Sequence, residues 1–174
     1  TFNQGGVAQL PEHAVQYADF AKWQRQWLEQ GGELQRQLDY WVARLGQPQT
    51  VLELPGDGDQ RQAQEGASQH FTLNATLSQQ LRDFAQQRGL SLFMVLLAGF
   101  TLVLRQRTEV SRVRIGTDIA NRNQVELEQM VGFFVNQLVL QVDVNADEAA
   151  GQLLHACRRA VLEASDHQDL PFER

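Results

Sequence analysis

Leu92-Phe93-Met94-Val95-Leu96-Leu97-Ala98-Gly99-Phe100-Thr101-Leu102-Val103-Leu104 is the longest apolar run in the chain. It is too short for a bilayer span, which needs about 20 residues. It is also apolar on nearly every face when wound as a helix. Such a helix is stable only between other elements, so the chain must build layers around it. Ser91 stands where an N-cap belongs, its hydroxyl ready to accept a backbone N–H of the first turn. This run therefore predicts a buried helix inside a layered domain.

The flanking patterns say what those layers are. A helix is predicted from Ala14 to Gln30, ended by Gly31-Gly32. A second covers Glu33 to Leu45, with Leu34, Leu38, Trp41 and Leu45 on one face and Gly46 as its C-terminal cap. Residues 46–68 are rich in Gln, Gly and Asp and read as a long surface connection. Gln69 to Leu73 alternates like a strand. Thr76-Leu77-Ser78-Gln79 matches a capping box for a helix to Arg88, stopped by Gly89. Val113 to Ile119 is a strand, 125–131 a short helical turn, and Val135 to Val144 the longest strand. Asp147 caps a last helix from Glu148 to about Ser165, buried through Leu153, Leu154, Cys157, Val161 and Leu162. Strands alternating with helices predict an α/β (α+β layered) fold with a mixed sheet and packed helices.

Charge narrows the function classes. The net charge is −6, with acidic and basic residues interspersed. Nucleic-acid binding calls for a basic stripe, and attraction to an anionic membrane calls for a basic face; neither is present. No basic region precedes an apolar stretch at Thr1 to Gly6, so no secretory signal is read there and the cytoplasm is the default expectation. The single cysteine, Cys157, sits among helix formers and reads as an inert half-buried thiol. Metal chemistry finds no ligand spacing. The four histidines, His13, His70, His155 and His167, are not adjacent and form no H-E-x-x-H site. Nor is there a Gly-x-Ser-x-Gly elbow or a phosphate-cradling glycine loop.

Three short motifs remain. Tyr17-Ala18-Asp19-Phe20-Ala21-Lys22-Trp23-Gln24 puts three aromatics on one helix face, either as a core stripe or as a site wall, with Asp19 favoured by the macrodipole near the helix start. Gly132-Phe133-Phe134-Val135-Asn136 enters the long strand. Its glycine permits an unusual backbone angle or a close approach by another group. Asn136 reads either as a structural residue closing a turn or as a placed donor and acceptor. His167-Gln168-Asp169-Leu170-Pro171-Phe172-Glu173 follows the last helix, where His167 can satisfy free carbonyls and Pro171 directs the exit.

In that order, the three motifs make the chain resemble the condensation domains of nonribosomal peptide synthetases. Softer matches run through Ser91 to Ala98 and Ile115 to Arg122, so the resemblance covers Gln16 to Arg174. It implies a lobe similar to chloramphenicol acetyltransferase. It also implies an enzyme that joins a donor acyl thioester to an acceptor amine, both presented on phosphopantetheine arms by carrier domains, with no cofactor bound directly. The resemblance implies that Asn136, Gly132 and Phe134 face the substrate tunnel. Tyr17, Asp19 and Trp23 would belong to the helix leading into the second lobe, and His167, Gln168 and Asp169 would help build that lobe. The family's catalytic HHxxxDG motif does not occur in the chain, and only sixteen residues precede Tyr17. The expectation is therefore a single partial domain, 1–174, most of the second lobe and without a catalytic residue of its own. Its expected partners are carrier domains, the first lobe and the adenylation domain, with a homodimer through exposed apolar surface as a further expectation. A non-catalytic docking or scaffold module, and an acyltransferase acting on a free acceptor, are the alternatives. Three positions depart from the family pattern: Gln137 where Thr is frequent, Gln141 where Arg is frequent, and Asp118 where Pro is frequent. The change at Gln141 is expected to bear on a surface ion pair.

Overall fold

The computed structural model describes residues 15–48, 52–54, 66, 68–145 and 149–174. Five α-helices and one β-hairpin make up its regular structure: α1 (Tyr17–Gln30), α2 (Glu33–Leu45), α3 (Ala75–Gln87), α4 (Leu92–Thr108), β1 (Arg112–Ile119), β2 (Asn136–Asp143) and α5 (Ala150–Asp166). A 3₁₀ turn, Val125–Leu127, lies in the loop between the strands. The chain is thus α+β, helices layered on a sheet. Among the described residues that sheet is an antiparallel pair, with Ile115 opposite Leu140 and Arg112 opposite Asp143.

The alternation of β2 explains the core. Leu138, Leu140 and Val142 point to one face, at most 3% exposed. They meet Val113 from β1, Leu97, Ala98 and Leu104 from α4, and Leu153, Cys157, Ala160 and Ala164 from α5. Cys157, expected to be half-buried, is fully buried there. A second, smaller cluster stands apart: Phe20 of α1 with Leu127, Met130 and Phe134 of the interstrand loop, and Tyr17 against them.

Five expectations need correction. Leu162 of α5, expected to be buried, is 45% exposed. Residues 69–73 form no strand, and Phe71 is 82% exposed: alternation alone does not hold an extended segment that has no partner to bond. Helix α3 begins earlier than the Thr76 box proposed. Asn74 is the N-cap, its side chain accepting from the Leu77 N–H at 2.8 Å. Asn is among the strongest caps, and it sits just ahead of the threonine. Gln141 does not bear on a surface ion pair: it is 4% exposed, and its Oε1 accepts from Arg114 Nε across the hairpin at 2.8 Å. Finally, α4 is buried on one side only. Leu97, Ala98, Thr101 and Leu104 enter the core, whereas Phe93, Leu96, Phe100 and Val103 form a stripe between 46% and 52% exposed.

The remaining ends agree closely. Ser91 caps α4, accepting from the Met94 N–H at 3.2 Å, and Gly89, at φ +62°, stops α3 in the left-handed region. The expected start of α1 at Ala14 and the Asp147 cap lie outside the described residues. Among the described residues no single helix is long and apolar enough to cross a membrane; α3 and α4 pass such a test only as a pair bent by 107°.

Candidate functional site

The hairpin and two helices bring the three motifs to one place. A cleft of about 340 Å³ is walled by Tyr17 and Phe20 of α1, by residues 133–136 entering β2, and by Pro171 and Glu173 of the closing segment. Residues more than a hundred positions apart in sequence therefore share one surface.

Each wall is held by identifiable bonds. Asp19 starts α1 by accepting from the Gln16 backbone N–H at 3.0 Å, the capping role its position suggests. The aromatics of α1 share a face: Phe20 is 9% exposed, while Trp23 lies stacked on Trp27 and remains 43% exposed. Tyr17 reaches the other wall. Its hydroxyl donates to the Phe133 carbonyl at 2.8 Å, and its ring stands edge-on to Phe134, centroids 5.2 Å apart. Gly132 is where that ring settles. A methyl group there would lie 2.7 Å from Tyr17 Cγ and 3.0 Å from Phe134 Cε2. The glycine thus serves a close approach, not a left-handed backbone. Phe134 itself is 3% exposed, a pillar of the smaller cluster as well as a cleft wall.

Asn136 is 9% exposed, and its side-chain amide bonds the closing segment. Its Nδ2 donates to the Gln168 and Leu170 carbonyls, both at 2.8 Å, and its Oδ1 accepts from the Phe172 N–H at 3.1 Å. The amide acts like a short strand of backbone and satisfies groups that no ladder reaches. Gln37 does the same from α2. It is fully buried; its Oε1 accepts from the Leu170 N–H at 2.7 Å, and its Nε2 donates to Glu33 at 2.8 Å and Asp169 at 3.3 Å. Trp41 adds a third brace, its Nε1 donating to the His167 carbonyl at 3.0 Å.

His167 caps the C-terminal end of α5. One ring nitrogen, Nδ1, lies 2.8 Å from the Glu163 carbonyl and the other, Nε2, 2.9 Å from Arg36 Nη1. An arginine only donates, so in this arrangement Nε2 accepts from it and Nδ1 donates to the carbonyl, which fixes the orientation of the ring. It also stacks on Tyr40 at 3.8 Å. Below it, the guanidinium of Arg36 hydrogen-bonds Glu33 and holds that carboxyl at about 2, well below its ordinary value, against a smaller opposing effect of burial. Burial pushes the Asp169 carboxyl up, and the bond from Gln37 pulls the other way.

Of the sequence-predicted residues, Tyr17, Phe134 and Asn136 line the cleft. Gly132 supports it from behind Tyr17, and Asp19, Trp23, His167, Gln168 and Asp169 sit in the surrounding framework. Gln37 and Arg122 were missed. Gln37 lies three residues after Leu34 and four before Trp41, so it falls on the apolar face of α2, and a polar residue there signals a buried partner. No group of three or more His, Cys, Asp or Glu arranged for a metal occurs among the described residues.

A family model described as Condensation domain matches residues 3–174. The chain is 37% identical, over 99% of its length, to malpinin synthetase of Mortierella alpina, of which it spans 2%. It is 40% identical, over 98% of its length, to phosphinothricin tripeptide synthetase PhsC of Streptomyces viridochromogenes, of which it spans 16%. Among solved structures, it superposes on the condensation domain of the monacolin K polyketide synthase MokA with a TM-score of 0.76 and 29% identity, over 97% of this chain and 40% of that one.

Proposed function

The chain belongs to the condensation-domain family, and on that premise we propose that it forms part of an amide-forming acyltransferase of a nonribosomal peptide synthetase. The reaction joins a carrier-bound acyl or peptidyl thioester to the amine of a carrier-bound amino acid. The amine attacks the thioester carbonyl, the tetrahedral centre breaks its C–S bond to expel the thiolate of the donor's phosphopantetheine arm, and the proton shed by the nitrogen ends on that sulfur. A thioester is already activated, so holding two tethered reactants in register contributes most of the rate.

The observation that carries this reading is the convergence of the three motifs on one braced cleft. Phe134 and Gly132 shape its wall, and Asn136 ties that wall to the closing segment. In this reading the 132–136 segment borders the substrate tunnel, and carrier domains approach along it. Both nitrogens of His167 are engaged, so it is a structural residue, and the proton-handling histidine comes from outside this chain. We assign residues 1–174 to one lobe of the domain. The exposed stripe of α4 and the outer edge of β1 are where the rest of the domain packs. The chain works with acyl and peptidyl carriers and an adenylation domain in the cytoplasm and binds no cofactor itself.

The test is photolabelling. A carrier domain whose arm bears a diazirine acyl group is mixed with a complete condensation domain containing this chain. Label recovered on the peptide spanning Phe133 to Asn136 is expected. Label confined to the α4 face or to solvent-exposed loops refutes the assignment of the tunnel wall.

A further inference from the structure

Arg122 leaves β1 beside Asn121, a buried residue at φ +52°. Its Nη1 donates to the Leu127 carbonyl and, at 2.8 Å, to the Met130 carbonyl. Leu127 ends the 3₁₀ turn, and its carbonyl also accepts from the Met130 N–H at 3.3 Å, so the guanidinium ties together the two ends of one short bend. The guanidinium carbon lies over Phe134, 4.2 Å from the ring centroid. Phe134 thus touches both Arg122 and the α1 aromatics Tyr17 and Phe20, with Phe20 at 4.9 Å. All of this sits in the smaller cluster, apart from the core of the hairpin, α4 and α5. Helix α1 packs on α2, and toward the cleft its support is this smaller cluster.

We propose that Arg122 is a positioning residue, the fastener that fixes the 125–134 loop through two carbonyls and one ring and so seats α1 against the wall leading to Asn136. Its part in amide formation rests on the reading of the previous section. An arginine is required because one extended head must meet two carbonyls and also lie over an aromatic; a lysine ammonium is a compact point charge that reaches fewer of these at once. The gap left by a shorter side chain frees the loop, and α1 loses the surface that Phe134 presents.

Hydrogen exchange on this chain, wild type against Arg122→Gln and Arg122→Lys, tests the fastener. Both variants are expected to lose at least about tenfold protection over Tyr17–Gln30 and 125–134, while β2 and α5 keep theirs, since local opening leaves the rest of the fold closed. Unchanged protection in α1, equal loss everywhere, or wild-type behaviour of Arg122→Lys overturns it. The same variants in a complete condensation domain carrying this chain are expected to slow single-turnover amide formation about tenfold, with the half-saturating carrier concentration unchanged, as misplacement without lost binding does. A loss of carrier binding with normal turnover overturns the positioning role. Absence of product from the wild-type domain, whatever the exchange result, fails the reading of amide formation instead.

Discussion

Asn136 offers the sharpest mutational test, because its amide is donor on one side and acceptor on the other. Asn136→Ala leaves the buried Leu170 carbonyl, the Gln168 carbonyl and the Phe172 N–H without their partner. A buried polar group left unpaired costs about 1–3 kcal/mol, and the two half-buried ones recover part of theirs from water, so about 2–3 kcal/mol is expected in total. Asn136→Asp has nearly the same shape and removes no volume. It puts an oxygen where nitrogen now sits 2.8 Å from two carbonyl oxygens, and it brings a buried charge to a position that makes no bond to a cation among the described residues. Its cost should exceed that of alanine, reaching about 4 kcal/mol or more at neutral pH. Burial among carbonyls raises the introduced carboxyl's folded pKa. The penalty is then full at neutral pH and fades as pH falls toward the unfolded carboxylate value, so the gap between the two variants narrows in acid. Urea melts followed by tryptophan fluorescence measure both variants at two pH values, valid where the slope m is unchanged. An Asn136→Asp variant as stable as Asn136→Ala at neutral pH would show that the amide does not donate to those carbonyls.

Four further outcomes follow from the same geometry. Gly132→Ala should destabilise by about 1–3 kcal/mol through overlap with Tyr17, and little in a Tyr17→Ala background; additive melts of the double variant would remove the overlap as the cause. Leu97→Asp buries an unpaired charge at a position 5% exposed, and should cost several kcal/mol; an unchanged thermal midpoint contradicts the burial. Because Arg36 depresses the Glu33 carboxyl from 4.5 to about 2, its contribution is present above the unfolded value and lost as pH falls between those two values. Glu33→Gln should flatten that part of the pH–stability curve, while Asp169→Asn should steepen the acid loss, since Asp169 is shifted upward and favours the fold when protonated; identical curves for wild type and Glu33→Gln contradict the pair. The exposed stripe of α4 should drive concentration-dependent self-association in sedimentation equilibrium, relieved by Phe100→Glu; a strictly monomeric wild type at high concentration contradicts it.

What could be read from the sequence was local. The apolar run at 92–104, the Ser91 cap, the helix bounds of α2 and the hairpin strands all follow from period and capping, which act within a few residues. The exposed half of α4 was not legible, because periodicity says that a face is apolar and not what covers it. Residues 69–73 alternate, but strand formation depends on a partner elsewhere in the chain. The site divides in the same way. The three motifs were visible, and Gly132 was reducible to two options. Its choice between them depends on a tyrosine 115 positions away, whose hydroxyl bonds the next residue. The closing-segment partners of Asn136 and Gln37 lie 32 to 133 residues distant, so only the fold distinguishes a brace from a contact group. The departures at Asp118 and Gln137 likewise find their explanation across the ladder: they are opposite one another, and Gln137 Nε2 donates to Asp118 at 2.9 Å.

The most direct measurement is single-turnover amide formation by a condensation domain in which this chain replaces the matching segment of an active relative. Saturating donor- and acceptor-loaded carriers are mixed with it and the product is followed by mass spectrometry. The native segment should give dipeptidyl product, and Gly132→Ala, which disturbs the Tyr17 wall, should slow it about tenfold or more in a domain that remains folded. A folded chimera that binds both carriers and forms no amide bond would contradict the assignment.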